Sequence, residues 1–196
     1  MPKHRPQDHF GQRARKEGYP ARSVYKLQEI DRRVRLFRRG QRVLDLGAAP
    51  GSWSLYAAER VGPSGLVLGV DRNAISIAAP AHVRFLQLDL AQLAPDALGE
   101  PHSFDVVLSD LAPQTSGQRH RDQYLSFELY MRALELAGAL LSPGGQFVGK
   151  IFQGPELNEA RAATAALLGK ARILKPEASR SESFEIFLAG GPRPAL

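Results

Sequence analysis

The sequence predicts an α/β fold: a doubly wound, mostly parallel seven-stranded sheet that ends in an antiparallel hairpin. Three observations carry this reading. Short apolar runs rich in Val, Leu, Ile and Phe alternate with longer stretches of helical periodicity, the pattern of a parallel sheet covered on both faces. Charged residues recur at or near the ends of those runs: Asp45, Asp71, Asp89, Asp110 and Lys150. The last two runs, 172–175 and 184–189, are separated only by "PEASRSES". That is too short for a crossover helix, so the two pair as a hairpin and one runs antiparallel.

Taken in order, residues 1–20 lack apolar periodicity and are expected to form a flexible basic arm on a single domain spanning 1–196. From Ser23, the residues Val24, Leu27, Ile30 and Val34 fall near helical spacing, which predicts a helix over 23–34. Strands are expected at 42–47, 66–71, 83–89 and 104–110, with a helix at 52–61. A long helix over 122–141 is ended by Pro143-Gly144-Gly145. A strand over 146–152 and a helix over 156–169 lead to the final pair of strands.

At 196 residues the chain has room for one well-buried core. It has no cysteine, which excludes disulfides and thiolate metal sites. No apolar run approaches the roughly 20 residues of a membrane span, and the polar N-terminal segment has no signal-peptide core. A cytoplasmic protein is expected, with no membrane partner. Residues 1–42 carry 13 Lys and Arg against 4 Asp and Glu, whereas the remaining 154 residues carry 13 against 16. The excess positive charge is therefore confined to the N-terminal fifth. It reads either as a polyanion-binding surface or as a solvated basic tail.

In open parallel sheets ligands bind at the carboxyl ends of the strands. "VLDLGAAPGSW" (43–53) runs strand, glycine turn, helix, with Gly47 and Gly51 four apart and Ala49 between them. This departs from the G-x-G-x-x-G pyrophosphate fingerprint, and Asp45 within the turn would repel phosphate. Asp71 stands 20 residues beyond Gly51, where an acid grips a ribose diol, and Asp89 ends the next strand. An acidic rim of this kind suits a ligand with ribose, adenine and a positive charge, as in S-adenosylmethionine. Trp53 would either wall the ligand or pack its helix on the sheet.

One residue does not fit the core it interrupts. In "GGQFVGKIFQG" (144–154), Lys150 stands among Phe147, Val148, Ile151 and Phe152, and an ammonium is almost never buried without a partner. The motifs "RSVYKLQEID", "VLDLGAAPGSWS", "GVD", "FLQLDL", "SDLAP", "PGGQFVGKIFQG" and "SRSESFEIFLAGG" appear in order. Through them the chain, from about residue 8 to 190, resembles the RrmJ/FtsJ family of S-adenosylmethionine-dependent RNA ribose 2′-O-methyltransferases. The resemblance implies a Rossmann-like methyltransferase fold and a catalytic Lys-Asp-Lys-Glu set on Lys26, Asp110, Lys150 and Glu185. Glu185 is preferred to the nearby Glu182 because it lies inside the final strand. The resemblance also places S-adenosylmethionine against Gly47, Gly51, Trp53, Asp71, Asp89 and Asp110.

The residue chemistry is compatible with that role. A ribose 2′-hydroxyl must lose its proton as it attacks a sulfonium methyl, and methyl transfer itself needs no metal. The resemblance further implies a monomer that acts on a uridine of large-subunit ribosomal RNA in the assembled 50S subunit, bound through the basic N-terminal region. Relatives of other types act on tRNA or other RNAs. A nicotinamide oxidoreductase and a non-catalytic ribosome-assembly factor on the same fold are the competing readings. The loop "APQTSGQRHRDQ" (112–123) follows the Asp110 strand and is a candidate substrate cover or a plain solvated connection.

Overall fold

Alternation with a period of two sorts the strand side chains onto two faces, and each face has its own helices. The computed structural model describes residues 9–90, 93–179 and 183–195. Its strands are β1 (Arg42–Leu46), β2 (Leu66–Asp71), β3 (Val83–Gln87), β4 (Phe104–Ser109), β5 (Leu141–Phe152), β6 (Ala171–Leu174) and β7 (Glu185–Gly190). Its α-helices are α1 (His9–Lys16), α2 (Val24–Val34), α3 (Ser52–Val61), α4 (Arg119–Leu140) and α5 (Leu157–Leu168). The seven strands form one sheet in the order β3-β2-β1-β4-β5-β7-β6. Every pairing is parallel except those of β7, which runs antiparallel to both β5 and β6.

On one face, Val43, Val67, Val106, Leu108, Val148 and Phe187 pack against α1, α2 and α3. On the other, Leu44, Leu68, Val107, Phe147, Ile151 and Leu188 pack against α4 and α5. The same parity places Asp45, Asp71, Asp110, Lys150 and Glu185 on the α2–α3 side. The five parallel strands β1 to β5 bring their carboxyl ends to one edge. The reversed β7 brings its first residue, Glu185, to that same edge beside Phe152 of β5.

The structure corrects several sequence expectations. Residues 9–16, placed in the flexible arm, form α1. This helix docks by its fully buried Ala14 and by Phe10, whose ring lies 5.6 Å from that of Tyr25. Residues 1–8 of the expected arm lie outside the described residues, as does Glu182. No α-helix joins β2 to β3. Among the described residues of the β3–β4 connection there is a 3₁₀ turn at Pro95–Ala97 and no α-helix, and edge strand β3 is half exposed. Strand β3 stops at Gln87, two residues short of Asp89. Helix α4 starts at Arg119, which shortens the expected loop, and Leu141 already pairs with Phe104 before residues 142–145 leave the ladder.

Trp53 packs its helix on the sheet. It is 3% exposed, its indole N–H donates to the Ser23 carbonyl at 2.9 Å, and its ring lies 5.7 Å from Phe187. It ties the start of α2 to α3 and to the sheet. We expect Trp53→Ala to cost about 3–5 kcal/mol, read as a lower urea midpoint with an unchanged slope. An unchanged midpoint would mean that the indole carries no core packing.

Candidate active site

The lysine in the apolar strand has partners. Lys150 is 6% exposed. Its ammonium donates to the backbone carbonyl of Asp110 at 2.8 Å and lies 3.0 Å from the Asp110 carboxylate oxygen Oδ1. The second contact is a charge pair, because Asp110 Oδ1 has no hydrogen-bond partner among the described residues. The other neighbour is Glu185, whose Oε2 lies 3.9 Å away. The second oxygen of Glu185 pairs with the Lys26 ammonium from the first turn of α2. Two cations and two anions thus alternate in the order Lys26, Glu185, Lys150, Asp110, and the formal charge of the cluster is zero.

Each side chain is delivered by a different element. Ser109 faces Gly149 across β4 and β5, so the next residues, Asp110 and Lys150, are brought side by side. Glu185 comes from the start of β7. Lys26 comes from a helix held over this face by Leu27 and Ile30, both fully buried. The four residues expected from the sequence to act together are therefore together.

The glycine turn lies on the next strands of the same edge. Asp110 N–H donates to the Leu46 carbonyl at 3.1 Å, which joins the two halves of the crevice. Gly47 has φ +80°, and a Cβ there would come within 2.9 Å of Leu111 Cδ2. Gly51 has φ +106°, and its missing side chain is replaced by close contact with Ile77. Asp71 is fixed at the rim: Oδ2 accepts from Ala49 N–H at 3.1 Å, and Oδ1 accepts from the Asn73 backbone N–H at 2.8 Å. Oδ1 also accepts from the Asn73 side-chain amide at 3.0 Å, so the acceptor capacity left for a diol is on Oδ2. Asp89 is exposed beyond the end of β3.

Asp45 differs from its sequence reading. It is fully buried, with Oδ2 accepting from Ser54 Oγ at 2.6 Å and Oδ1 without a partner among the described residues. Burial, and to a lesser extent the nearby Asp110 and Asp71 carboxylates, push its carboxyl up to about 7 despite the Ser54 hydrogen bond. Near neutral pH it is only partly ionised, so it repels phosphate less than a plain aspartate would.

These residues fit S-adenosylmethionine. Two positive-φ glycines keep the turn low, the first turn of α3 offers free N–H groups, Asp71 suits a ribose diol, and the orphaned Asp45 oxygen favours a nearby cation. Two aromatics left unassigned by the sequence stand at the lip. Phe184 is 38% exposed, with the Phe152 ring at 5.9 Å and the Arg119 guanidinium 5.2 Å from its centroid. Their signal was an aromatic immediately before Glu185, and such surfaces suit stacking of unpaired RNA bases.

Known proteins resemble the chain both in sequence and in fold. The family model described as FtsJ-like methyltransferase matches residues 19–193. The ribosomal RNA large subunit methyltransferase E of Sorangium cellulosum is 53% identical over 188 residues, covering 96% of this chain and 89% of that one. The protein of the same name from Nitratidesulfovibrio vulgaris (strain Miyazaki F) is 49% identical, covering 92% and 91%. Among solved structures, a Plasmodium falciparum protein assigned as a ribosomal RNA methyltransferase superposes with a TM-score of 0.78 at 22% identity, covering 91% of this chain and 100% of that one. A Burkholderia thailandensis N1-methyltransferase bound to S-adenosylhomocysteine gives 0.55 at 19%, covering 89% and 78%. At those identities the two structures speak for the fold.

The state of Asp45 leads to a pH prediction. The folded protein holds a proton on Asp45 that the unfolded chain releases from about pH 4 upward. Its ionisation therefore opposes folding: stability falls as pH rises from about 4 to about 7, then levels off. In Asp45→Asn that contribution is absent. Urea unfolding at pH 5 and pH 8 should show a smaller loss of stability over this interval in the variant, by a few kcal/mol at most. Equal losses in both proteins would place the titration elsewhere.

Proposed function

The chain belongs to the FtsJ-like methyltransferase family, and from that premise we propose that it methylates a ribose 2′-hydroxyl of large-subunit ribosomal RNA. The target we infer is a uridine in the assembled large subunit. The observation that carries the reading is the buried cluster of Lys26, Glu185, Lys150 and Asp110 at the crevice edge. Such an arrangement holds an amine at fixed position where a hydroxyl must be oriented and deprotonated. S-adenosylmethionine, the methyl donor of this family, supplies an electrophilic methyl on a sulfonium.

Asp71 would hold the donor's ribose diol, and the Gly47–Gly51 turn with the start of α3 would hold the adjoining part. Phe184 and Phe152 would receive an unpaired base beside the target. Asp110 and Glu185 hold the Lys150 amine at the crevice, while Lys26 compensates Glu185 and fixes its direction. The 2′-hydroxyl oxygen would take the donor's methyl carbon in line as its C–S bond breaks, the donor leaving as the neutral thioether S-adenosylhomocysteine. The hydroxyl proton passes to Lys150 Nζ, which must arrive neutral and leaves as ammonium, so protons balance without a metal. The basic surface of α1 and α2 would meet the RNA backbone. Among the described residues no helix is long and apolar enough to cross a membrane. We infer that the protein works as a monomer in the cytoplasm, where the ribosomal particles are. Mapping 2′-O-methyl sites in ribosomal RNA with and without the gene tests the substrate. No site lost from the large subunit would overturn it.

Two variants test the roles. Asp71→Ala should weaken S-adenosylmethionine binding by about 1–3 kcal/mol in a calorimetric titration, because the diol loses its acceptor. Unchanged affinity would mean that the ribose is held elsewhere.

Lys150→Ala should bind S-adenosylmethionine normally and lose about 10²–10⁴-fold in single-turnover methyl transfer. It should also lose some stability, since the Asp110 carbonyl loses its donor and the carboxylate its counter-charge. The assay therefore belongs at a temperature where circular dichroism shows both proteins folded. Lys150→Arg should not restore the rate, because a guanidinium stays protonated. Transfer by Lys150→Ala close to the wild-type rate would remove the base assignment.

A further inference from the structure

A second charged feature lies at the far end of α2. A cavity of about 730 Å³ opens between the carboxyl-terminal ends of α2 and α3, lined by Gln28, Asp31, Arg32, Arg35, Phe37, Arg38, Tyr56 and Arg60. It is separate from the crevice. Lys26 sits in the first turn of α2, and Arg35 follows the last. At 1.5 Å per residue the two are about 14 Å apart along the axis.

The one acid in this cavity is already committed. Asp31 is 5% exposed. Its Oδ1 accepts from the Leu36 and Phe37 backbone N–H groups at 2.9 and 3.2 Å, and its Oδ2 accepts from Tyr56 Oη at 2.8 Å. Arg60 Nε lies 3.2 Å from the same oxygen. Asp31 therefore builds the cavity floor. It fixes the chain after α2, where Arg35 turns with φ +54° and lets residues 35–38 line the mouth. Among the described residues, no carboxylate lies within ion-pair distance of Arg32, Arg35 or Arg38; the neighbouring Arg33 is paired with Glu29.

The bland explanation of arginines at helix carboxyl ends is that they complement the helix dipoles. Each end carries about half a negative charge, so two ends and Asp31 together come to about two negative charges against four guanidinium groups. About two positive charges remain unopposed around a preformed concavity. Guanidinium groups bind phosphate through paired N–H donors, and Gln28 adds a neutral polar group. We propose that this cavity is an anchoring site for an RNA backbone phosphodiester, distant from the methylated ribose, which holds the substrate in register with Lys150. The proposal rests on the RNA-methyltransferase reading and deepens it: α2 would carry a reacting-site lysine at one end and a phosphate clamp at the other.

The test uses the full chain with Arg32, Arg35 and Arg38 all changed to Gln. Arg60 is kept because it supports Asp31. All three side chains are exposed, and a thermal melt matching the wild type confirms that the fold is intact. Binding of a fluorescein-labelled oligouridylate is read by anisotropy over a range of salt. We expect affinity at low salt to fall at least tenfold. The slope of log affinity against log salt should become shallower by about 0.7 for each single-strand phosphate that the variant no longer neutralises. Calorimetric affinity for S-adenosylmethionine should not change. With large-subunit particles, KM should rise while kcat holds. Arg→Lys at the same three positions should recover the salt slope but only part of the affinity. The anisotropy arm needs no methyl transfer, so it reads the anchor even if the particles prove not to be the substrate.

An unchanged salt slope and KM would overturn the proposal. So would a loss seen with particles but not with oligouridylate, which would point to an acidic ribosomal protein. Inorganic pyrophosphate that binds the wild type tightly without displacing oligouridylate would mark a small-anion site and would also overturn it.

Discussion

The burial of the Lys150 ammonium constrains the rest of the active edge. In the middle of an apolar strand this charge is tolerable only if donors and charges are matched around it, and an uncompensated buried charge costs several kcal/mol. The match uses β4 for Asp110, β5 for Lys150 itself, β7 for Glu185 and α2 for Lys26. Shifting any one element by a residue would break the alternation of signs. A one-residue slip in β5 would also turn Lys150 to the α4 side. The cluster therefore specifies register as well as chemistry, and these demands coincide at the edge where parallel strands end.

Helix α2 is held as firmly as the strands. Leu27 and Ile30 bury one stripe, Trp53 donates to Ser23 just before the helix, and Asp31 ties its last turns to α3 through Tyr56 and Arg60. These contacts fix the position and the tilt of Lys26. They also make the distance between Lys26 and the arginine mouth a property of a rigid rod, where a flexible arm would leave it open. The basic N-terminal fifth of the chain thus divides into parts of different kinds. Arg13 is paired with Glu17, just past the end of α1, and Arg33 with Glu29 one turn earlier in α2, whereas Arg32, Arg35 and Arg38 are left facing a cavity.

Much of this was legible in the sequence because strands obey a period of two. The seven apolar runs, the order of motifs and the hairpin at the end all survive in the structure. The parity of Asp45, Asp71, Asp110, Lys150 and Glu185 was also available: each falls in step with the residues that pack under α2 and α3, so one face could have been assigned before any contact was seen. What the sequence concealed depended on tertiary partners. Helix α1 is short and polar, and it is fixed by Ala14 and the Phe10–Tyr25 contact, which no local pattern announces. Trp53 had two readings because an amphipathic ring serves either, and its bond to a carbonyl 30 positions earlier in the chain is one no local pattern announces. Asp45 read as one more acid of the rim until its complete burial lifted its carboxyl to about 7.

The antiparallel β7 follows from where the acid has to be. A parallel strand beside β5 would present its last residues to the crevice, here Ala189 and Gly190, and would leave Glu185 at the opposite edge. Reversing the strand puts Glu185 first at the active edge, across from Phe152 and two pairs beyond the Lys150–Phe187 pair, on the same face. The chain reaches that position by laying β6 at the outside and returning through β7 into the gap next to β5, which gives the order β5-β7-β6. The reversal has a second consequence. Phe184 immediately precedes the strand, so it is carried to the same lip and stands beside the carboxylate that orients Lys150. A single change of strand direction therefore brings to one place a charge that holds the amine and an aromatic surface open to solvent. No helix crossover at this position would have supplied both.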